Sequence, residues 1–189
     1  YKFDHFTRGF VEVLAAEQTL SDSSWFQGTA DAVRKHMGHF LNHRFDYILI
    51  LSGDQLYNMN FHQVITEHIR NQAELTVATI PVNRRAVTDF GIMKIDEEHR
   101  IREFVEKPKE KEVIDSLKLS DATCQDLEIS APDEQFLASM GIYVFNRDVL
   151  INLLENDHAD FGKHIIPEAI RTRRAYSYVY QGYWEDVGT

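Results

Sequence analysis

Hydrophobic positions along this chain alternate between two rhythms. Phe10–Ala16 are compact and apolar enough for a strand, and Ser21-Asp-Ser-Ser24 supplies turn material after it. From Thr29 onward Ala30, Val33, Met37, Phe40 and Leu41 return at steps of three and four, which predicts an amphipathic helix. Asp46–Leu51 is a near-continuous apolar run ending in Ser52-Gly53-Asp54, and such a run predicts a strand buried on both faces of a parallel sheet. Helical spacing resumes over 61–71, and a Val-, Thr- and Ile-rich strand is predicted at Leu75–Val82. Short strands at 91–96 and 101–105 then lead into Glu106-Lys107-Pro108. The polar stretch Lys109–Gln135 reads as an insertion with one helix, Glu110–Leu117. Beyond it the pattern predicts a strand at Phe136–Phe145, helices at Val149–Glu155 and Lys163–Arg171, and a strand at Tyr176–Tyr180. Strand alternating with helix predicts an α/β sandwich.

Composition narrows the class. The 189 residues suit one domain or the larger part of one, and 43% hydrophobic content is ordinary for a globular core. The formal net charge of -10 leaves no basic stripe to neutralise a nucleic-acid backbone, and no apolar run approaches the ~20 residues that span a bilayer. Neither nucleic acid nor membrane is therefore an expected partner. The single cysteine, Cys124, excludes an intramolecular disulfide and fits a reducing, cytoplasmic compartment. The chain opens on Tyr1 and closes inside a motif, so both ends are expected to be cut from a longer protein.

Four short motifs could carry chemistry. Asp54 ends a strand, where ligands of open α/β sheets bind, and a carboxylate there can hold Mg²⁺ against a phosphate while Gly53 admits the backbone closely. Taken singly, Asp54 reads more simply as a turn or cap. Gln27-Gly28-Thr29-Ala30-Asp31 opens a helix with small residues and free amides, which suits an anion or equally a plain N-terminal cap. Glu106 can accept hydrogen bonds from sugar hydroxyls and Lys107 can reach a phosphate, although a solvated pair before a turn is the commoner meaning of Glu-Lys-Pro. Asp186, beside Trp184, offers a second carboxylate for the same Mg²⁺. His158, Asp160 and His164 lack metal-ligand spacing and read as surface residues, and Cys124 has no histidine partner for nucleophilic work.

Together and in this order, the motifs closely resemble those of the ADP-glucose pyrophosphorylases (glucose-1-phosphate adenylyltransferases), within the sugar-nucleotide pyrophosphorylases. The stretches are Gly9–Ala15, Trp25-Phe-Gln-Gly-Thr-Ala-Asp-Ala-Val33, Leu51-Ser-Gly-Asp54 with Tyr57, Asp89-Phe-Gly-Ile-Met93, and Phe104-Val-Glu-Lys-Pro108. Ala138-Ser-Met-Gly-Ile-Tyr-Val-Phe145, Asp160-Phe-Gly162 with Ile165-Ile-Pro167, and Tyr183-Trp-Glu-Asp-Val-Gly-Thr189 complete the set. The resemblance implies a Rossmann-like nucleotidyltransferase sandwich with a mostly parallel mixed sheet, filling 1–189 as a partial catalytic domain. It implies formation of ADP-glucose and pyrophosphate from ATP and α-glucose 1-phosphate, for glycogen or starch synthesis, in an allosteric homo- or hetero-tetramer of the cytoplasm or a plastid. Gln27, Gly28, Thr29, Ala30 and Asp31 would lie at the nucleotide. Asp54 and Asp186 would hold Mg²⁺, with Asp54 and Lys107 catalytic. Gly91, Glu106, Lys107, Ser139, Tyr143 and Trp184 would line the sugar-phosphate site. The family's N-terminal Gly-rich phosphate loop and C-terminal β-helix domain have no match here, and Gln55 and Asn60 stand where the family often has His and Asp. The chain alone is accordingly expected to turn over poorly. A pyrophosphorylase for UDP- or dTDP-glucose and a non-catalytic regulatory subunit are the alternatives.

Overall fold

The computed structural model describes residues 13–14, 25–129 and 133–188. The strand expected over Phe10–Ala16 falls almost wholly outside the described residues, as do the turn at Ser21–Ser24 and Thr189. The elements in chain order are α1 (Thr29–Lys35), α2 (Met37–Leu41), β1 (Tyr47–Leu51), β2 (Gln55–Tyr57), α3 (Phe61–Arg70), β3 (Leu75–Asn83), β4 (Gly91–Ile95) and β5 (Ile101–Glu106). They continue with α4 (Lys111–Ser116), α5 (Asp121–Asp126), β6 (Gln135–Asn146), α6 (Arg147–Leu153), a π-helical turn at Phe161–Ile165, α7 (Ile166–Thr172), β7 (Ala175–Val179) and β8 (Trp184–Asp186). The single helix expected from Thr29 is broken at His36, whose backbone leaves the helical region just before the weak helix former Gly38. The 109–135 insertion holds α5 as well as the expected α4, with Ser120 Oγ capping α5 by accepting from the Thr123 amide.

The fold is α/β with a mixed sheet ordered β5-β4-β6-β3-β7, and β1 also pairs with β6. The expected parallel majority is not what the described strands show. β3 with β7 is parallel, whereas β1 with β6, β3 with β6, β4 with β5 and β4 with β6 are antiparallel. The reason is the position of β6. β1 and β3 do run in the same direction, joined through α3, but β6 lies between them and runs against both. The strand buried on both faces is therefore β6, with Phe136, Leu137, Ala138, Met140, Ile142, Val144 and Phe145 fully enclosed. β1, expected in that role, exposes Tyr47 and Leu51.

Alternation along β6 divides the core. Leu137, Tyr143 and Phe145 face α1, α6, the π turn and α7, through Ala30, Leu150, Phe161, Ile165 and Ala169. Met140, Ile142 and Val144 face α3 through Val64, with Trp184 packed at the margin. Phe136 and Ala138 face α4 through Ile114 and Leu117. Each large apolar side chain so enclosed contributes about 1.5–3 kcal/mol. No helix among the described residues is long and apolar enough to cross a membrane.

Among the described residues the buried polar side chains are His68, Thr76, Thr79 and Ser177, of which only His68 titrates near neutral pH. His68 of α3 is 1% exposed. Its Nε2 lies 2.9 Å from Asn146 Oδ1, an atom that can only accept, so Nε2 carries the hydrogen and Nδ1 accepts from the Thr76 hydroxyl at 2.8 Å. Burial lowers the His68 pKa below its ordinary 6.5, partly opposed by the Asn146 hydrogen bond. As pH falls through 6.5 the unfolded chain takes up this proton before the folded one. Stability then declines until the depressed folded pKa is passed, and His68 adds no pH dependence above 6.5. His68→Gln is expected to flatten the dependence of the urea midpoint on pH below 6.5, and an unchanged slope would show that another group sets it.

Candidate active site

The cleft originates in a defect of β6. β3 follows one edge of β6 from Gln135 to Phe145, but between Val77 and Thr79 the register moves from Tyr143 to Ser139, so β6 carries two extra residues around Gly141. Gly141 has φ +66, and a Cβ there would overlap Ser52 Oγ. The other edge of β6 is shared. β4 takes Leu137 and Ala138, and β1 takes Ile142–Asn146. β1 thus ends, and β4 begins, on either side of Ser139–Gly141. The Ser52 amide donating to Gly141 O at 3.1 Å closes the seam on the β1 side. The resulting cavity, about 700 Å³, is lined by the end of β1 (Ser52, Gly53, Asp54), the start of β4 (Gly91), the end of β5 (Glu106, Lys107), and Ser139 and Tyr143 of β6. A larger open cleft of about 990 Å³ lies between the β4–β5 hairpin and α4–α5. Its three cations are already engaged, Lys94 on Ser116 O, Arg102 on Asp96 and Lys118 on Glu134, so the smaller cavity is the better candidate.

Asp54 and Asp186 are 132 residues apart in the chain and meet through a two-stranded ribbon that the hydrophobic pattern does not reveal. β2 pairs antiparallel with β8 (Gln55 with Asp186, Tyr57 with Trp184), and the Val187 amide extends the ladder by donating to Asp54 O at 2.9 Å. Both carboxylates converge on Gly188: a Cβ there would lie 2.9 Å from Asp186 Oδ1 and 3.1 Å from Asp54 Oδ2. Both side chains line the cavity and both residues are solvent-exposed. Two exposed carboxylates with room for water and phosphate match how Mg²⁺ is bound, as distinct from an all-protein cage. Among the described residues no group of three or more His, Cys, Asp or Glu is gathered for a metal.

Glu106 and Lys107 are neighbours, and in a straight strand they would point to opposite faces. They share the cavity because Lys107 leaves the extended region, with φ +46 and its amide donating to Phe90 O at 3.1 Å. A left-handed backbone is uncommon for lysine and costs energy. Glu106 Oε2 lies between two glycines: a Cβ on Gly91 would stand 2.8 Å from it, and one on Gly162 2.9 Å. The carboxylate is half-buried and makes no hydrogen bond among the described residues. Burial raises its pKa above the usual carboxyl value; Lys107 lowers it, Asp160 raises it and Lys163 lowers it. Tyr143, stacked on Phe161 at 5.7 Å between ring centroids, forms the floor. Burial pushes its phenol up to about 12, with Ser139 hydrogen bonding in the opposite sense, so it stays neutral.

Several expected site residues fall elsewhere. Of Gln27–Asp31, Thr29 lines the cavity together with Ala32 and Val33, while Ala30 is fully buried in the core. The α1 amides expected to be free for an anion are already taken: Ala30 N and Asp31 N donate to Ala159 O at 2.9 and 3.2 Å. Gly28 is there for packing, since a Cβ would overlap the Ala159 carbonyl oxygen. Trp184 is not a wall of the cavity. Its ring packs edge-on behind Phe90 at 5.3 Å and its Nε1 donates to Gln55 Oε1 at 3.3 Å, and these two residues form the wall. Asp160, read as a surface residue, is half-buried and lines the cavity with Phe161 and Gly162, while its Oδ1 caps the π turn through the Lys163 amide. His158 and His164 are exposed and stack on each other at 4.8 Å. In Cys124 burial, and secondarily Asp121, raise the thiol pKa, consistent with an inert cysteine.

A cavity at the strand ends of a mixed α/β sheet, with two convergent carboxylates on one side and a Glu-Lys pair on the other, lies where α/β proteins bind small-molecule ligands. The match with known proteins gives the family: the model of the nucleotidyl transferase family covers residues 1–189, and the chain belongs to that family. Its general activity is nucleotidyl transfer.

The glycines separate packing from ligand access. Gly28→Ala is expected to lower the unfolding free energy by roughly 1–3 kcal/mol through overpacking against Ala159. Gly53→Ala, where a Cβ meets nothing within 4 Å, is expected to leave it unchanged. Urea denaturation of both variants measures the contrast, and equal losses would contradict it.

Proposed function

We propose that the cavity binds a nucleoside triphosphate and a hexose 1-phosphate together, and that the reaction is the formation of ADP-glucose and pyrophosphate from ATP and α-glucose 1-phosphate. The observation that carries this reading is the meeting, in one cavity of about 700 Å³, of Asp54 and Asp186 on one side with Glu106 and Lys107 on the other. The choice of ATP and glucose rests on the resemblance of Trp25–Val33 and Ala138–Phe145 to the ADP-glucose enzymes.

Charge supports the need for a divalent cation. The lining includes Asp54, Asp89, Glu106, Asp160 and Asp186 against Lys107. Such a surface repels a triphosphate and a sugar phosphate unless a cation intervenes. Asp54 and Asp186 fit Mg²⁺, which when bound neutralises charge on the phosphates and helps orient them. The remaining steps belong to the chain's own groups. Lys107 holds the sugar phosphate as a point charge. Glu106, a half-buried carboxylate without a hydrogen bond among the described residues, accepts from sugar hydroxyls, with Asp160 beside it, while Tyr143 keeps water from that side. A phosphate oxygen of the sugar phosphate then bonds to the α-phosphorus as the bond to pyrophosphate breaks, so no protein nucleophile is consumed and positioning supplies most of the acceleration.

Asp54→Ala in the full-length protein is expected to lower kcat by on the order of 10²–10³, the size of effect seen when an electrostatic stabiliser is removed. Lys107→Ala is expected mainly to raise the KM for glucose 1-phosphate. Steady-state kinetics with ATP, UTP and dTTP in parallel tests both claims. Equal use of the three triphosphates would remove the ADP-glucose assignment, and near-normal turnover of Asp54→Ala would remove Asp54 from the metal role.

A further inference from the structure

Asp160 reaches the Glu106 side of the cavity at the end of an irregular stretch, 154–160, after α6, and Gly162 follows in the first residues of the π turn that this stretch leads into. Irregular segments ordinarily move more than the helices they join, yet this one must hold Gly162 so that its α-carbon leaves just enough space for Glu106 Oε2. Its anchorage comes from α1. Arg34 donates from Nε to Leu154 O at 3.0 Å, and from Nη2 to His158 O at 2.6 Å and to Asn156 Oδ1 at 3.3 Å. Asn156 Oδ1 also accepts from the His158 amide at 2.9 Å, and Asn156 Nδ2 donates to Leu153 O at 2.9 Å. Thr29 Oγ1 accepts from the Phe161 amide at 3.3 Å, and Ala159 O accepts from Ala30 and Asp31. By comparison, the Arg34–Asp31 ion pair within α1 is long, at 3.6 Å. That separation is beyond hydrogen-bond distance, so the hydrogen bonds the guanidinium makes among the described residues go to the loop.

We propose that Arg34 is a positioning residue: its planar fork, spanning three acceptors of 154–158, sets where Asp160 and Gly162 stand opposite Glu106. It touches no substrate, and it is not among the residues lining the cavity. The α1 wall, which contributes Thr29, Ala32 and Val33, and the Asp160–Gly162 wall are thereby fastened as one unit. The inference rests on the reading of the Glu106 side as the sugar-phosphate side. Because α1 is itself held by the buried Ala30, loss of Arg34 frees the loop and not the helix. The effect should fall on the sugar phosphate more than on the nucleotide.

The test uses Arg34→Ala and Arg34→Lys in the full-length protein, with Asn156→Ala as a milder variant should Arg34→Ala fail to fold. Three readouts are needed: the denaturation midpoint, KM and kcat for each substrate, and hydrogen exchange at the Phe161 and Lys163 amides. Displacing the loop by about 1 Å is expected to raise the KM for glucose 1-phosphate roughly ten- to a hundredfold, with kcat and the KM for ATP within about twofold and both amides exchanging faster. Arg34→Lys should behave like Arg34→Ala, since an ammonium on a flexible stem lacks the fork. A folded Arg34→Ala protein with an unchanged sugar-phosphate KM, or full rescue by lysine, would overturn the proposal. If the wild type shows no saturable dependence on any hexose 1-phosphate, the sugar-phosphate reading is what fails, and exchange still decides on Arg34: faster exchange supports the positioning role and unchanged exchange ends it.

Discussion

The two extra residues that β6 carries around Gly141 are the constraint on which the rest of the site depends. A strand buried on both faces normally pairs without interruption on both edges, because an unpaired backbone group in a core costs about as much as a lost hydrogen bond. Here β3 follows one edge of β6 from Gln135 to Phe145 but skips the residues around Gly141, and the other edge is divided between β1 and β4. The positive φ of Gly141 makes the bend, and Ser52 covers the seam with its amide and hydroxyl. From this one irregularity follow the position of Asp54, just past the end of β1, and the adjacency of Gly91 to Glu106 at the opposite rim.

Around that gap the protein keeps its polar groups in opposite conditions on the two sides. Asp54 and Asp186 are exposed, and Asp186 accepts from the Gly188 amide at 2.8 Å, a wet setting suited to a hydrated cation. Glu106 and Tyr143 are enclosed, and burial drives the pKa of both upward. In the function proposed above, the wet side would handle charge and the drier side shape and hydroxyl groups. Lys107 joins Glu106 on its side, brought to the cavity by its own left-handed backbone at the end of β5.

Much of this was legible in the sequence, and the parts that were not share a cause. Helices α3, α4, α6 and α7 and strands β3, β4, β5, β6 and β7 follow from hydrophobic spacing, because in each of them a long enough run faces one core. β2 and β8 have three residues each, too few for a period to register, yet they join Asp54 to Asp186. The apolar runs of β1 and β6 look alike on paper. Only the arrangement in space assigns the interior to β6 and an exposed place to β1. Glu106 and Lys107 were legible as a motif, but the twist that brings both into one cavity was not, since neighbours in a strand point apart. Asp160 was passed over for the same kind of reason. Its company, Thr29 on one side and Glu106 on the other, is assembled from distant parts of the chain. Gly28 shows the converse: a glycine in a nucleotide-like motif whose neighbour in the structure is the Ala159 backbone.

The enclosure of Glu106 between Gly91 and Gly162 bears on when its hydration is lost. A carboxylate that stayed in water until a sugar arrived would have to shed its solvent at the moment of association, and that loss would count against affinity. Here folding strips part of the solvent beforehand, at the expense of a slightly less stable protein, and leaves an acceptor with unmet demand. If Glu106 is the sugar acceptor proposed above, an incoming hydroxyl finds a partner that has already given up water for it. On that reading the pocket would select by omission: a ligand lacking the hydroxyl would seal an unanswered carboxylate away from solvent, and a mismatch of that kind is far harder to tolerate than a missing methyl group.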